Sequence, residues 1–372
     1  MAGDPRYNGR DCSWDTKDRS DAMKTTEKKP ERQIHFDLLR ILACFMVVVL
    51  HAASRFFDTT PVEAENWMAY NAYDALVRSA VPLFVMLSGV FFLAPERRIS
   101  LRKLYRKSIG RIALAYVVWS AVYTVYDVWT GAVACQPLYV LQAWIAGPKH
   151  LWYIPMLIGL YVISPLLKKI TERADRDLIR YGIVVFLVAA IVKTLKACPF
   201  LPGAQTIVLL ADQIPTELVL LYSSYFLLGW FLTRCSFSKT QKRILYGAGA
   251  LCPVVCALLT ALVSRQNGEA YADLYNNFTI FTALEAVAVF VFFKDFAPSV
   301  SARMKAWIHV LSQCTLGIYL THILVLRILA SQMDLQAVAG IWMVPSVSVV
   351  VFALSFVLTW SLRKIKGVRA LL

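Results

Sequence analysis

The chain has 372 residues, 58% of them hydrophobic and 17% charged, and a formal net charge of +15. A soluble domain carries roughly 25% charged residues, so this composition and a mean hydropathy of +0.56 exclude an ordinary soluble enzyme and indicate a polytopic membrane protein. The basic balance raises nucleic acid as a partner, but the distribution of the charge along the chain excludes it.

Residues 1–33 are polar, with eight Lys/Arg against seven Asp/Glu and no apolar h-region. They read as a disordered cytoplasmic tail rather than a signal peptide. The remainder, 34–372, reads as a single membrane domain. A helix needs about 20 apolar residues to cross about 30 Å of hydrocarbon. Ten stretches qualify, at about 36–54, 75–94, 109–129, 151–167, 179–197, 214–234, 244–264, 274–293, 307–330 and 340–362. The expected fold is therefore all-α, with about ten transmembrane helices and both termini in the cytoplasm.

The first span, FDLLRILACFMVVVLHAAS, carries Arg40 and His51. Charged or titratable groups at membrane depth are costly and are commonly kept for function. Eleven residues turn a helix by three turns plus roughly 20°, so the two share one face, about 16 Å apart along the axis. Asp37 lies on the same stripe. The second span contains Ser88-Gly89, whose lack of bulk admits either a neighbouring helix or a narrow ligand. A basic run, RRISLRKLYRKSIGR, follows and places Arg102, Lys103, Arg106, Lys107 and Arg111 at the entrance of the third span. It reads either as an ordinary inner loop or as a clamp for a phosphorylated ligand, since Arg offers forked donors to phosphate oxygens.

The loops 55–74 and 130–150 read as outer loops. The fourth span is short, holds Pro155 near its start and is preceded by His150, so it reads as broken or tilted. The sixth span begins at Glu217 and continues through Tyr222, Ser223 and Tyr225. The eighth buries Glu285 beside Thr282. The ninth aligns Ser312, Thr315, Tyr319 and His322 on one face. Such polar stripes also serve plain interhelical hydrogen bonding, and a histidine near a membrane boundary is commonly a packing residue. His51 is set apart by the Arg and Asp on its face. His35 and His309 lie at the inner interface without an assigned role, and Trp67, Tyr116, Trp129 and Trp342 read as an aromatic belt.

With the N-terminus inside, the inner segments hold 30 of the 39 Lys/Arg, and the outer loops hold only Arg55, Arg78, Lys149 and Arg265. That asymmetry fixes orientation and assigns the charge to topology and anionic lipid. The eight cysteines lack CxxC spacing, so no metal site is expected. Cys135 and Cys198 both fall outside, which permits a disulfide between them without requiring one.

Arg40, ten intervening residues and His51 resemble the Arg-x10-His signature of membrane acyltransferase family 3. The resemblance runs from about residue 34 through DLLR and VVVLHAASR (37–55), VPLFVMLSG (81–89), the basic run, HLWYIPMLIGLYVISPLL (150–167), YFLLGWFL (225–232) and LGIYLTHILV (316–325). The motifs are most similar to those of bacterial O-acetyltransferases that decorate surface polysaccharides, of the enterobacterial common antigen type. The resemblance implies a multi-pass enzyme of the bacterial cytoplasmic membrane. It would move an acetyl or other short acyl group from cytoplasmic acyl-CoA, a co-substrate rather than a bound cofactor, to a hydroxyl of an extracytoplasmic or lipid-linked glycan. Many members of the family carry a further soluble domain or helix, and this chain is expected to act alone or with a separate partner.

On that footing His51 is the expected general base, because an imidazole with an ordinary pKa of about 6.5 suits proton removal near neutrality. Arg40 and Asp37 lie too far along the helix to touch it and read as a pair that orders the donor's path. His150, Tyr319, His322 and Glu285 are candidates for binding the acceptor or polarising the thioester carbonyl. An acyl-histidine intermediate is an alternative route. Arg102, Lys103, Arg106, Lys107, Arg111, Ser88 and Gly89 are the acyl-CoA candidates. Two other functions share the same polar residues: a transporter or flippase of a lipid-linked sugar, and a membrane sensing module. The sensing reading is weakened by the absence of an appended catalytic domain. Acceptor identity and oligomeric state are not encoded in any motif.

Overall fold

The computed structural model describes residues 33–372 except 96, 98, 199, 202, 204, 205 and 207–220. The tail expected over residues 1–33 thus lies outside the described residues apart from Gln33, as does Glu217. The described chain is helical, with α1 at Ile34–Phe57, α2 at Glu65–Leu76, α3 at Ala80–Phe92, α4 at Gly110–Trp129, α5 at Pro137–Ala146 and α6 at Tyr153–Arg173. It continues with α7 at Arg176–Lys196, α8 at Tyr222–Arg234, α9 at Lys239–Asn267, α10 at Ile280–Asp295, α11 at Ala302–Gln332 and α12 at Gly340–Leu362. Among the described residues, nine helical segments are long and apolar enough to cross a membrane. The expected span at 214–234 is described only from Tyr222 onward, as α8.

The basic ends of the helices define the inner side. Three helices that start there carry side-chain caps, which satisfy backbone N–H groups that a helix start leaves unpaired. Asp175 accepts from the Leu178 N–H of α7 at 2.8 Å, and Ser301 accepts from Met304 of α11. Ser238 and Gln241 form a reciprocal capping box on α9.

Helix α1 occupies the centre and packs against α2, α3, α10, α11 and α12. Its neighbours approach closely where glycine removes the side chain. Gly89 of α3 lies against the Phe226 carbonyl of α8, and Gly229 of α8 lies against the Met86 carbonyl of α3. Small residues of this kind let membrane helices pack backbone to backbone.

The structure corrects both expected outer loops. Residues 65–76 form α2, a buried helix that continues through a break at 77–79 into α3, so the second span runs over Glu65–Phe92. Residues 137–146 form α5, which folds back along α4. Tyr116 donates to the carbonyls of Ile145 and Ala146, Ser120 donates to the Trp144 carbonyl, and the Trp144 indole donates to the Val117 carbonyl. Ala146 therefore meets α4 thirteen residues before the end of that helix, about 20 Å along its axis. The chain then turns at Gly147, φ +65°, and reaches His150 from within the helical layer. Cys135 is exposed, Cys198 is buried, and both are free, so no disulfide joins them.

Candidate active site

A cavity of about 680 Å³ runs along the polar face of α1. Arg40, Arg111, Gln313, Arg363 and Arg369 line its inner end, and His51, Arg78, His150, Trp152 and Asn277 line its outer end. Between them the wall is mostly apolar or aromatic, with Phe84, Phe91, Phe92, Leu157, Tyr161 and Leu316, relieved by Ser88. The Arg40/His51 spacing read from the sequence thus spans one continuous space.

At the inner end Arg40 is 3.4 Å from Asp37 and donates to Ser312 at 3.2 Å, and the Ser312 hydroxyl donates to Asp37 at 2.7 Å. Its guanidinium also lies 5.2 Å from the centre of the Phe91 ring. A charge held by carboxylate, hydroxyl and ring is costly to move, so Arg40 presents a fixed cation to the cavity. Arg111 follows a π-helical turn at Leu104–Ile109, a distortion that often accompanies functional positions. Arg102, Lys103, Arg106 and Lys107 are exposed and do not line the cavity. Ser88 lines it and bonds back to the Phe84 carbonyl at 3.0 Å. Gly89 points the other way, into the α3–α8 crossing, and is a helix contact rather than part of the cavity wall.

At the outer end three histidines converge. The ring centre of His51 is 5.1 Å from that of His322 and 6.3 Å from that of His150, and His150 is 5.6 Å from His322. His51 lies six residues before the end of α1, about 9 Å inside it. His322 is fully buried, and its Nδ1 is 2.6 Å from the Tyr319 carbonyl. A carbonyl only accepts, so Nδ1 carries the proton and Nε2 presents a lone pair. Among the described residues, neither that Nε2 nor the Nε2 of His150 has a hydrogen-bond partner, although both are buried. Two unpaired imidazole nitrogens beside a cavity mark a place built to receive a polar group.

Two tyrosines hold this cluster. The Tyr319 hydroxyl donates to the His150 carbonyl and so fixes the turn that delivers His150. The Tyr123 hydroxyl donates to the Leu320 carbonyl at 3.0 Å and accepts from the Leu324 N–H at 3.0 Å. It is inserted into the backbone ladder of α11, one way a membrane helix is locally opened. Tyr319 therefore acts through His150, and its O–H is not free for a substrate.

Glu285 does not join the histidines. It accepts from the Ser79 hydroxyl at 2.7 Å and faces a separate apolar groove between α1, α9 and α10, so it braces the break between α2 and α3. Arg78 was missed as a site residue, being counted among the outer loop charges. The signal lay in Asp74, one helical turn earlier, which would pair with it inside a helix.

The family model for an acyltransferase domain matches residues 34–362. No curated protein and no solved structure matches the chain.

Proposed function

The chain belongs to the acyltransferase 3 family, and from that membership we propose that it transfers an acetyl or other short acyl group from cytoplasmic acyl-CoA to a hydroxyl of an extracytoplasmic or lipid-linked glycan. The setting we propose is a bacterial cytoplasmic membrane, with surface polysaccharide as the acceptor class. The observation that carries the reading is the cavity that reaches the four inner arginines at one end and His51 and His150 at the other. Fixed guanidinium groups suit the phosphates of a CoA donor, and the apolar middle suits a thin thioester arm. A family of acyltransferases matches the chain, so the transporter alternative is not carried forward.

On this reading the donor's head group rests at Arg40, Arg111, Arg363 and Arg369, and the acyl thioester reaches the histidines. His51 takes the proton of the acceptor hydroxyl. The hydroxyl oxygen attacks the thioester carbonyl carbon, the C–S bond breaks, and the proton passes from His51 to the departing CoA sulfur. His322, behind His51, offers the Nε2 lone pair that can orient the His51 ring, in the manner of a base held by a third group. Trp152, 43% exposed at the mouth, offers a flat apolar face to a sugar ring.

Mass spectrometry of surface glycans tests this, using cells with the protein, cells without it, and cells carrying His51→Ala or Arg40→Ala. The expected result is one acyl mass step per modified sugar unit, lost in the deletion and in both variants while membrane insertion persists. Unchanged acylation in both variants would sink the proposal.

A further inference from the structure

Arg78 stands at the break between α2 and α3, where the outer end of the cavity meets the buried polar side of α2. One of its terminal nitrogens donates to Asp74 Oδ2 at 2.5 Å, and its guanidinium lies 4.4 Å from the centre of the Tyr275 ring. The Tyr275 hydroxyl is in turn bonded to Asn71. The next residue, Ser79, is tied to Glu285. The arginine is thus held from several sides, yet its buried Nε has no hydrogen-bond partner among the described residues. Taking the fully buried Asp74 carboxylate and the part-buried Arg78 guanidinium out of water is expensive, and an unpaired buried donor adds to that expense. Packing alone does not call for either.

Several other donors near the histidines are already committed. The Tyr319 O–H goes to the His150 carbonyl, the His322 N–H goes to the Tyr319 carbonyl, and the Asn277 amide donates to Tyr222 at 2.7 Å. Of the five arginines that line the cavity among the described residues, Arg78 is the one at the outer end, beside His51.

We propose that Arg78 is a catalytic residue that hydrogen-bonds the acyl carbonyl oxygen and stabilises it as it becomes an oxyanion, with Asp74 and Tyr275 as its positioning residues. The inference rests on the acyl-transfer reading above. When the hydroxyl oxygen adds to the thioester carbon, the C=O electron pair moves onto the oxygen facing Arg78. Collapse restores the C=O bond, expels the CoA sulfur and returns that oxygen to neutrality. Arg78 gains and loses no proton. A fixed cation is worth most in this place because charge develops there only in the transition state.

The test uses the full-length protein in lipid nanodiscs, with radiolabelled acetyl-CoA as donor and a glycolipid extract of the producing cells as acceptor. Arg78→Gln is expected to lower kcat about 100- to 1,000-fold and to leave KM for acetyl-CoA within about twofold of wild type. Arg78→Lys keeps the charge but removes Nε, and is expected to lose at least tenfold in kcat while unfolding near the wild-type temperature. It decides the matter should Arg78→Gln not fold. Asp74→Asn is expected to lower kcat by less than Arg78→Gln. A folded variant at Arg78 that keeps kcat within twofold, or whose whole defect lies in KM for acetyl-CoA, overturns the proposal. A wild-type protein that transfers no label removes the acyl-CoA reading itself and Arg78's role with it.

Discussion

The Ser88-Gly89 pair separates two accounts of α3, and Gly89→Ala decides between them. A Cβ built on Gly89 would lie 1.8 Å from the Phe226 carbonyl oxygen, and real Cβ atoms essentially never approach closer than 3.0 Å. The helices would have to part by about 1.2 Å at this crossing, the difference of those two distances. The obstacle is backbone on α8, which cannot swing aside as a side chain can. Overpacking a tight contact costs about 1–3 kcal/mol, and a backbone obstacle places Gly89→Ala at the upper end. At an unfolding entropy of about 2.1 cal/mol/K per residue, a chain of this length would show a fall in Tm of about 4 °C. Gly229→Ala, with a contact of 2.2 Å to the Met86 carbonyl, should behave alike.

Gly159 is the control. It is helical, and a Cβ there meets nothing within 4 Å, so Gly159→Ala should be neutral or slightly stabilising. Thermal unfolding of each purified variant in detergent, paired with steady-state acyl transfer, gives the answer. Should Gly89→Ala unfold at the wild-type temperature and raise only KM for acetyl-CoA, Gly89 would belong to the donor's path and the packing argument would be wrong.

Three further outcomes follow from the inner and outer ends of the cavity. Neutralising Arg102, Lys103, Arg106 and Lys107 together should leave KM for acetyl-CoA within about threefold at physiological salt, because exposed charges are screened. Arg111→Ala alone should raise it more, and the reverse order would move the donor site onto the exposed run. Ser312→Ala removes the hydroxyl shared by Asp37 and Arg40. At about 1–3 kcal/mol for a disrupted charged hydrogen bond, it should raise KM for acetyl-CoA on the order of tenfold with kcat little changed; an unaltered KM would separate Arg40 from donor binding. Tyr319→Phe releases the His150 carbonyl and should lower kcat rather than raise KM, with about 1 kcal/mol lost in stability. A variant with wild-type kcat would show that His150 needs no such hold.

Much of the architecture follows from hydropathy and charge, because lipid imposes a length and an orientation on apolar helices. The Arg40/His51 face was legible for the same reason: helical geometry fixes it without knowledge of the neighbours. Helix α2 was not legible. Its sequence, ENWMAYNAYDAL, carries Asn66, Asn71 and Asp74, which lower its hydropathy and suggest water. Inside the fold those groups are paired. Asn71 donates to the Ala257 carbonyl at 2.8 Å, Asn66 accepts from the Gly340 N–H at 2.8 Å, and Asp74 holds Arg78. Helix α5 was missed for the opposite reason, being apolar but only 10 residues long, too short to register as a span. The placement of Arg78 and His150 beside His51 depended on the two misread segments, since each ends in a break beside the site.

Those breaks give the site its character. A membrane helix can interrupt its hydrogen-bond ladder only where other protein groups or a polar cavity receive the freed backbone. Residues 77–79 and 147–152 are such interruptions, and they bring Arg78 and His150 to the cavity at His51. His51 is about 9 Å inside the outer end of α1 and about 16 Å from Arg40 along the same axis. On the proposed reading, neither substrate has to cross the whole membrane. The donor's arm rises from the inner arginines through the apolar middle, and the acceptor hydroxyl descends past Trp152. Only the acyl group changes sides. Confining its exchange to a buried pocket keeps water from the thioester, which explains why a membrane protein would keep three histidines and an arginine at a depth where each is costly.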